Sequence, residues 1–494
     1  MELPDDILSC HRIIQDLVSV VETVNAQLAG YIQLTELQRV QLELLTKRVA
    51  ELESQVHQNS RNSSQPPSKD VYKPNPKPAF ARVKGGKIGG KEGHTGGTLH
   101  LVDTPDLIEQ HTPAVCGHCG QVHSMEPTVL RARRQVFDIP PPRLEVTEHQ
   151  VFDWVCSSCQ TPNRGEFPPG IGANTQYGFR LVAMSALFNN GYNIPRNKVQ
   201  SIFHDLYDVR LNEGTLQAQN ELTYACLEEE EAHIKTKLLE SEVANFDETG
   251  VYVAGERYWL HVASNASYTH LFVHPNRGAA AHEPGLSILP EFRNRAIHDC
   301  WATYFLFPDC KHGTCGSHFL REFTGLTESG SKWATAFHAF LLELYVRSDK
   351  GNSDIPTEQR PEIRSRYQKL LDQADLEEPS PIPRQVGAGK KARGKPKKTK
   401  GRNLFDRLSK HSEAVLAFAF NKNVPFTNNQ AERDIRPTKT KMKVSGCFRT
   451  PYGAEIYARI QGFVSTVRKL QFNPFKELYA VLAGDMPEYR LKSC

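Results

Sequence analysis

Three acidic side chains in this 494-residue chain stand in contexts that set them apart: Asp247 in Asn-Phe-Asp-Glu-Thr-Gly, Asp299 in Ala-Ile-His-Asp-Cys-Trp, and Glu432 in Thr-Asn-Asn-Gln-Ala-Glu-Arg. Carboxylates are hard oxygen donors that suit magnesium or manganese. Two such ions about 4 Å apart can activate one oxygen while stabilising another during in-line attack on a phosphodiester. The three acids therefore point to a two-metal phosphoryl-transfer centre acting on nucleic acid. Glu248, Asp309 and Glu322 are the acidic neighbours most easily confused with them.

The surrounding pattern says what must carry these groups. Val243 to Asp247 reads as a strand ending in an acid, Gly250 as a site for a tight reversal, and 257–264 and 268–274 as two further strands. A helical segment is expected near Ala280 to Leu289, followed by a strand from Arg295 that delivers Asp299. Mixed sheets with carboxylates at adjacent strand ends are the pattern of the ribonuclease-H-like fold. Thr427-Asn428-Asn429 offers helix N-cap chemistry, which puts Glu432 in the first turns of a helix. Arg433, Arg436, Lys439 and Lys441 follow on that element as candidate DNA-phosphate contacts, although Pro437 is expected to kink or end the helix near Arg436.

Eleven cysteines are too few for a disulfide scaffold in a chain of this length. Four of them form two Cys-x-x-Cys knuckles, Cys116-Gly-His-Cys119 and Cys156-Ser-Ser-Cys159. Two knuckles bring four thiolates to one tetrahedral ion, the arrangement of a structural zinc ribbon. Residues 129–137 and 143–154 alternate or carry β-branched side chains and are expected to be the strands of that ribbon. Cys310, His312, Cys315 and His318 form a second cluster on the chain, with a spacing that fits one strand and helix rather than a metal site.

Towards the N-terminus, Ile14, Leu17, Val21, Val24, Leu28 and Tyr31 alternate in steps of three and four. The same frame resumes at Leu42, Leu45, Val49, Leu52 and Val56. A coiled coil over 1–57 follows, joining two copies or a partner, with Gly30, Thr35 and Gln38 leaving room for two separate helices. Residues 58–100 are rich in Pro, Lys and Gly and read as an extended basic linker, 101–172 as the zinc ribbon, and 173–240 as a helical region. Its turn at Asn193-Ile194-Pro195 and its restart after Asn212-Glu213-Gly214 resemble a helix-turn-helix DNA reader, or a small helical bundle. Residues 241–485 are left for the catalytic domain.

The net charge of +4 hides an asymmetry. From Gly389 to Ser445 sixteen Lys or Arg face four Asp or Glu, so this block carries +12 and the remainder −8. A basic block suits a polyanion, because side chains that neutralise phosphates release counterions. No apolar run is long enough to span a bilayer and the N-terminus is acidic, so no membrane association and a cytoplasmic location are expected.

The chain resembles transposases of the insertion sequence 66 family, a bacterial group with an Asp-Asp-Glu active site. The resemblance runs almost end to end. It rests on the leucine-rich N-terminus, Asn59-Ser-Arg-Asn-Ser-Ser-Gln-Pro-Pro-Ser68, Gly93-His94, the paired knuckles, Asp247-Glu-Thr, Asp299, Cys315-Gly-Ser-His318 and Asn428-Asn-Gln-Ala-Glu432-Arg433. Many relatives carry Asp-Gly-Tyr where this chain has Asp299-Cys300-Trp301, and Cys-Trp-Ala-His-Ala-Arg-Arg where it has Cys315-Gly-Ser-His318-Phe-Leu-Arg321.

The resemblance implies that Asp247, Asp299 and Glu432 are the metal-binding triad, with a helical insertion at about 325–410 inside the catalytic fold. The fold class expected is thus multidomain α+β, with a coiled coil, a zinc ribbon, a helical DNA-binding region and a ribonuclease-H-like catalytic domain. The activity implied is cleavage at transposon ends and strand transfer into double-stranded target DNA, using two magnesium or manganese ions. It would proceed as a homo-dimer or higher oligomer on the bacterial nucleoid, with accessory proteins of the same element as possible partners. A metal-dependent nuclease that does not join ends, and a DNA-binding protein without catalysis, are the competing expectations.

Overall fold

The computed structural model describes residues 6–56, 58–59, 61–63, 99–122, 129–381 and 397–491. Most of the expected linker and the lysines from 390 to 396 lie outside them. The chain divides into two compact units, one of residues 1–73, 170–199 and 213–494, the other of 74–169 and 200–212.

In the first unit, α1 (Ile7–Val56) is one uninterrupted helix of 50 residues, about 75 Å long at 1.5 Å per residue. Gly30, Thr35 and Gln38 do not break it, so the alternative of two helices is wrong. Gly30 within a helix costs only about 1 kcal/mol, and the Thr35 hydroxyl bonds back to the Tyr31 carbonyl rather than ending the turn. The seam residues Ile14, Leu17, Val21, Val24, Leu28 and Tyr31 are all more than half exposed.

The smaller unit holds both cysteine knuckles and the short antiparallel pair β1 (Trp154–Val155) and β2 (Pro162–Asn163). Of the strands expected at 129–137 and 143–154 only the last residue, Trp154, lies in a strand; 129–153 is irregular, and Val129, Leu130, Val136 and Val146 are exposed. Alternation specifies a strand only when a neighbour takes the ladder hydrogen bonds and a core takes one face, and these segments have neither. Gln135 instead clasps Val102, accepting from its N–H at 2.8 Å and donating to its carbonyl at 2.7 Å.

Helices α2 (Phe179–Ala186), α3 (Arg196–Tyr207), α4 (Glu213–Cys226) and α5 (Glu228–Glu240) form where helical periodicity was expected. α4 turns Gln219, Asn220 and Thr223 inward. Ser185 donates to Gln219 at 2.6 Å, and Asn190 donates to Asn220 at 2.8 Å. These buried polar pairs pack α2, with the π-helical turn that follows it, against α4.

The centre of this unit is a five-stranded sheet of β3 (Val243–Val253), β4 (Glu256–Ser264), β5 (Thr269–His274), β6 (Arg295–His298) and β7 (Lys311–Thr314), in the order β5-β4-β3-β6-β7. β3, β4 and β5 pair antiparallel, while β6 and β7 run parallel to β3. The first reversal lies at Ala254-Gly255, not at Gly250. Both turn residues have positive φ, 51° and 86°, as the tight hairpin turn matched to strand twist requires. Gly250 sits within β3 opposite Trp259, where a Cβ would come 3.0 Å from the Arg257 guanidinium. The helix expected near 280–289 is reduced to one 3₁₀ turn, Ala279–Ala281.

The remaining helices are α6 (Gly316–Glu328), α7 (Lys332–Arg347), α8 (Arg360–Glu377), α9 (Lys400–Lys410), α10 (Ser412–Phe420), α11 (Asn429–Ser445), α12 (Pro451–Lys469), α13 (Pro474–Ala483) and α14 (Glu488–Leu491). The described part of the expected insertion is helical. Its core of Phe323, Trp333, Phe337, Leu341 and Leu344 continues to Ile297 at the end of β6. One face of the sheet packs Val251, Leu260 and Leu271 against Ala431 and Ile435 of α11 and Tyr457 of α12. The other packs Ala244, Phe246 and Ala296 against Ile234 and Leu238 of α5.

Candidate active site

Strand alternation decides where the acids point. On β3, Ala244 and Phe246 face α5, while Val251 and Val253 face α11. Asp247 shares the second set's parity. β6 runs parallel to β3 with Asn245 opposite Ile297, so Asp247 within β3 and Asp299, one residue past the end of β6, each lie two residues beyond that pair. Adjacent strands are about 4.8 Å apart, close enough for two carboxylates to address one ion.

Glu432 stands in the first turn of α11, near enough for its charge to act on Asp247, and Asn428 holds that turn down. Asn428 is at the N-cap position, but its side chain makes no cap hydrogen bond. It accepts from Asn245 at 2.8 Å and donates to the Phe246 carbonyl at 2.8 Å. A side-chain amide only 1% exposed must satisfy both its polar ends internally. Asn428 is therefore a clamp between α11 and the strand that carries Asp247, a role its motif alone does not reveal.

The electrostatics separate these acids from their neighbours. Burial pushes the Asp247 carboxyl up to about 8, with the charges of Glu248 and Asp299 adding to it, the Glu248 N–H opposing, and Glu432 contributing further. Among the described residues no salt bridge is made by Asp247, Asp299 or Glu432. Each aspartate accepts one backbone N–H, from Glu248 at 2.9 Å and from Trp301 at 3.0 Å, which leaves carboxylate oxygens unclaimed.

The three neighbours each have an arginine. Asp309 pairs with Arg293 at 3.5 Å and Glu322 with Arg407. Glu248, side chain 2% exposed, pairs with Arg277 at 2.7 Å and accepts from the Tyr304 hydroxyl at 2.5 Å. Arg277 itself lies over the rings of Trp259 and Trp301. Neighbouring carboxylates without counter-charge suit hard divalent cations, although the ligand oxygens of Asp247, Asp299 and Glu432 do not all lie within 4.8 Å of one another; Glu248 already has its counter-charge.

Cys300 explains one departure from the relatives' pattern. Its φ is +69°, the left-handed region in which glycine carries no Cβ penalty. The turn that aims Asp299 keeps the shape an Asp-Gly pair supplies. Cys300 is 4% exposed, and burial pushes its thiol up to about 12.

The cationic candidates divide. Arg433, Arg436 and Lys439 are exposed along one side of α11. Lys441 is 8% exposed, donates to the Asn189 carbonyl at 3.1 Å and lies over the Tyr457 ring. Burial, aided by Arg196, brings its ammonium down to about 8, and the structure does not bring it to the face of the other three. Nor does Pro437 end the helix, which runs on to Ser445. Burial of Ala431, Ile435 and Thr438 holds it in place, and the Pro437 carbonyl accepts from Asn193 at 3.1 Å.

Beside the acids, Cys315 occupies the N-cap of α6 and His318 its first turn. Burial alone would raise the Cys315 thiol, but the hydrogen bond and charge of His318 outweigh it and hold the thiol below its usual range. Burial alone would likewise lower His318, and Cys315 reverses that.

In the smaller unit both knuckles have the same fold. Cys116 N–H bonds to Gln121 O and Gly120 N–H to Cys116 O; Cys156 N–H bonds to Thr161 O and Gln160 N–H to Cys156 O. Gly120 and Gln160 close the two turns at φ +75° and +60°. The Cys116 thiol is lowered by the backbone N–H groups of Cys119 and His118 and by the Cys119 side chain. The Cys159 thiol is lowered first by Thr161 and also by Cys156. One thiol of each knuckle is thus tuned towards thiolate, the form in which cysteine binds a structural zinc.

A mixed sheet flanked by helices, with a separate unit that carries two cysteine knuckles, makes this a multidomain protein of mixed α and β structure. The chain belongs to the Transposase IS66 family, whose sequence profile matches residues 174–456. The zinc-finger binding domain of transposase IS66 matches residues 113–160, which supports a structural zinc on the knuckles. A family of unknown function matches 16–100. No curated protein is similar enough to be matched. Among the described residues no helix is long and apolar enough to cross a membrane.

Proposed function

We propose that this chain is a metal-dependent DNA transposase whose catalytic acids are Asp247, Asp299 and Glu432, on a domain of the ribonuclease-H-like kind. What supports the reading is that the charges of Asp299 and Glu432 both act on buried Asp247 and that none of the three is salt-bridged among the described residues. Two magnesium or manganese ions bound there would supply a nucleophilic water or 3′-hydroxyl and stabilise the leaving oxygen.

The chain's own residues do the rest. Asp247, between the other two acids, would serve both ions, with Asp299 and Glu432 completing one each. The backbone bonds to Asp247 and Asp299 fix their rotamers before substrate arrives. Arg433, Arg436 and Lys439 form a ridge that would hold phosphates alongside. The exposed seam of α1 would pair with a second copy, so that two chains hold two DNA ends.

A strand-transfer assay with the element's terminal sequences and magnesium tests the reading. Cleavage followed by joining of the 3′-hydroxyl to target supports a transposase. Cleavage without joining indicates a nuclease, and salt-sensitive binding without metal-dependent nicking indicates a DNA-binding protein.

A further inference from the structure

The geometry points to a third ion site, for a thiophilic divalent cation of the zinc class, built from Cys315 Sγ, an imidazole nitrogen of His318 and the Glu432 carboxylate. One ligand atom from each lies within 4.8 Å of the other two. In a tetrahedral zinc site, with bonds of about 2.0 to 2.3 Å, ligand atoms stand roughly 3.3 to 3.8 Å apart. Closure therefore needs about 1 Å of side-chain movement. On the chain, Cys315 and His318 group with Cys310 and His312; in space their third partner is Glu432, 114 residues beyond His318.

Four features make this a prepared site. Cys315 and His318 occupy the N-cap and first turn of one helix, so their side chains share a face. The segment that carries Glu432 is tied to that helix: Gly316 N–H bonds to Phe426 O at 2.8 Å, and a Cβ at Gly316 would collide with the Phe426 ring. The Asn428 N–H donates to Cys315 Sγ at 3.1 Å, the kind of outer hydrogen bond that orients a ligating sulfur. His318 Nδ1 is buried without a hydrogen-bond partner, leaving one imidazole nitrogen uncommitted.

One sulfur, one nitrogen and one oxygen suit a borderline-soft ion far better than magnesium, and three ligands leave a fourth position open. Binding would release the Cys315 thiol proton to solvent. It would also engage Glu432, so an ion here draws on a carboxylate of the proposed acidic centre without requiring that centre to be catalytic.

The test uses full-length protein carrying its own zinc, titrated with Cd2+ in the absence of DNA. Thiolate-to-cadmium absorbance is followed, and zinc and cadmium are counted after desalting. The expected result is one cadmium bound with zinc retained, and affinity at least tenfold weaker in both Cys315→Ser and His318→Ala, while Cys310→Ser is unchanged. Glu432→Gln, which keeps the side chain's volume, should also weaken binding and decides the matter if Cys315→Ser does not fold. Equal uptake by wild type and all these variants, or cadmium that enters only by displacing zinc, overturns the site.

Discussion

Replacing Asp247 by asparagine should stabilise the metal-free protein, and the gain should depend on pH. The folded-state carboxyl is raised from 3.8 to about 8, so between those values the folded chain holds a proton that the unfolded chain has released. Stability from this group is thus greatest below pH 3.8 and is lost as pH rises towards 8. Its cost is at most about 4 kcal/mol at pH 7 and about 2 kcal/mol at pH 5, at roughly 1.4 kcal/mol per pH unit above 3.8. The substituted amide would keep the acceptor for the Glu248 N–H and remove the charge. The predicted outcome in chelator is a Tm several degrees above wild type at pH 7, with a clearly smaller difference at pH 5. Magnesium should narrow the gap by stabilising wild type and not the variant. A variant less stable at both pH values, or equally stabilised by magnesium, would refute the electrostatic argument.

Other substitutions test the supports of the site. Asn428→Ala leaves Asn245 and the Phe246 carbonyl without their partner and should lower stability by about 2 to 3 kcal/mol in urea denaturation. Arg277→Ala leaves buried Glu248 with only Tyr304 and should cost about 2 to 4 kcal/mol by the same measurement, less than a fully buried pair because the Arg277 side chain is 41% exposed. Cys116→Ser should remove one zinc per chain by elemental analysis and expose the smaller unit to protease. Arg436→Ala should weaken DNA binding several-fold and reduce the slope of log affinity against log salt by about 1, whereas Lys441→Ala should change stability rather than that slope.

What could be read directly from the chain was what local pattern determines. β4 and β5, the strand into Asp247, the helix that carries Glu432 and the two knuckles all follow from period-two alternation, capping residues or cysteine spacing. What escaped depends on partners distant in sequence. Residues 129–137 and 143–153 alternate or carry β-branched side chains but pair with no strand among the described residues. Pro437 remains within a helix because that helix's apolar face is buried against the sheet, and Lys441 lies on the face turned inward. Asn428 has the sequence context of a cap and is a cross-chain clamp, since Asn245 lies 183 residues away. Gly250 carries no turn; the reversal belongs to Ala254-Gly255, where both residues take positive φ.

The most direct test of the central claim is single-turnover cleavage of a terminal-sequence duplex in magnesium, comparing Asp247→Asn, Asp299→Asn and Glu432→Gln with Glu322→Gln and Asp309→Asn. The account predicts that each of the first three abolishes cleavage while DNA binding in chelator is retained, and that the last two cut at close to the wild-type rate. Normal cutting by any of the first three would contradict it.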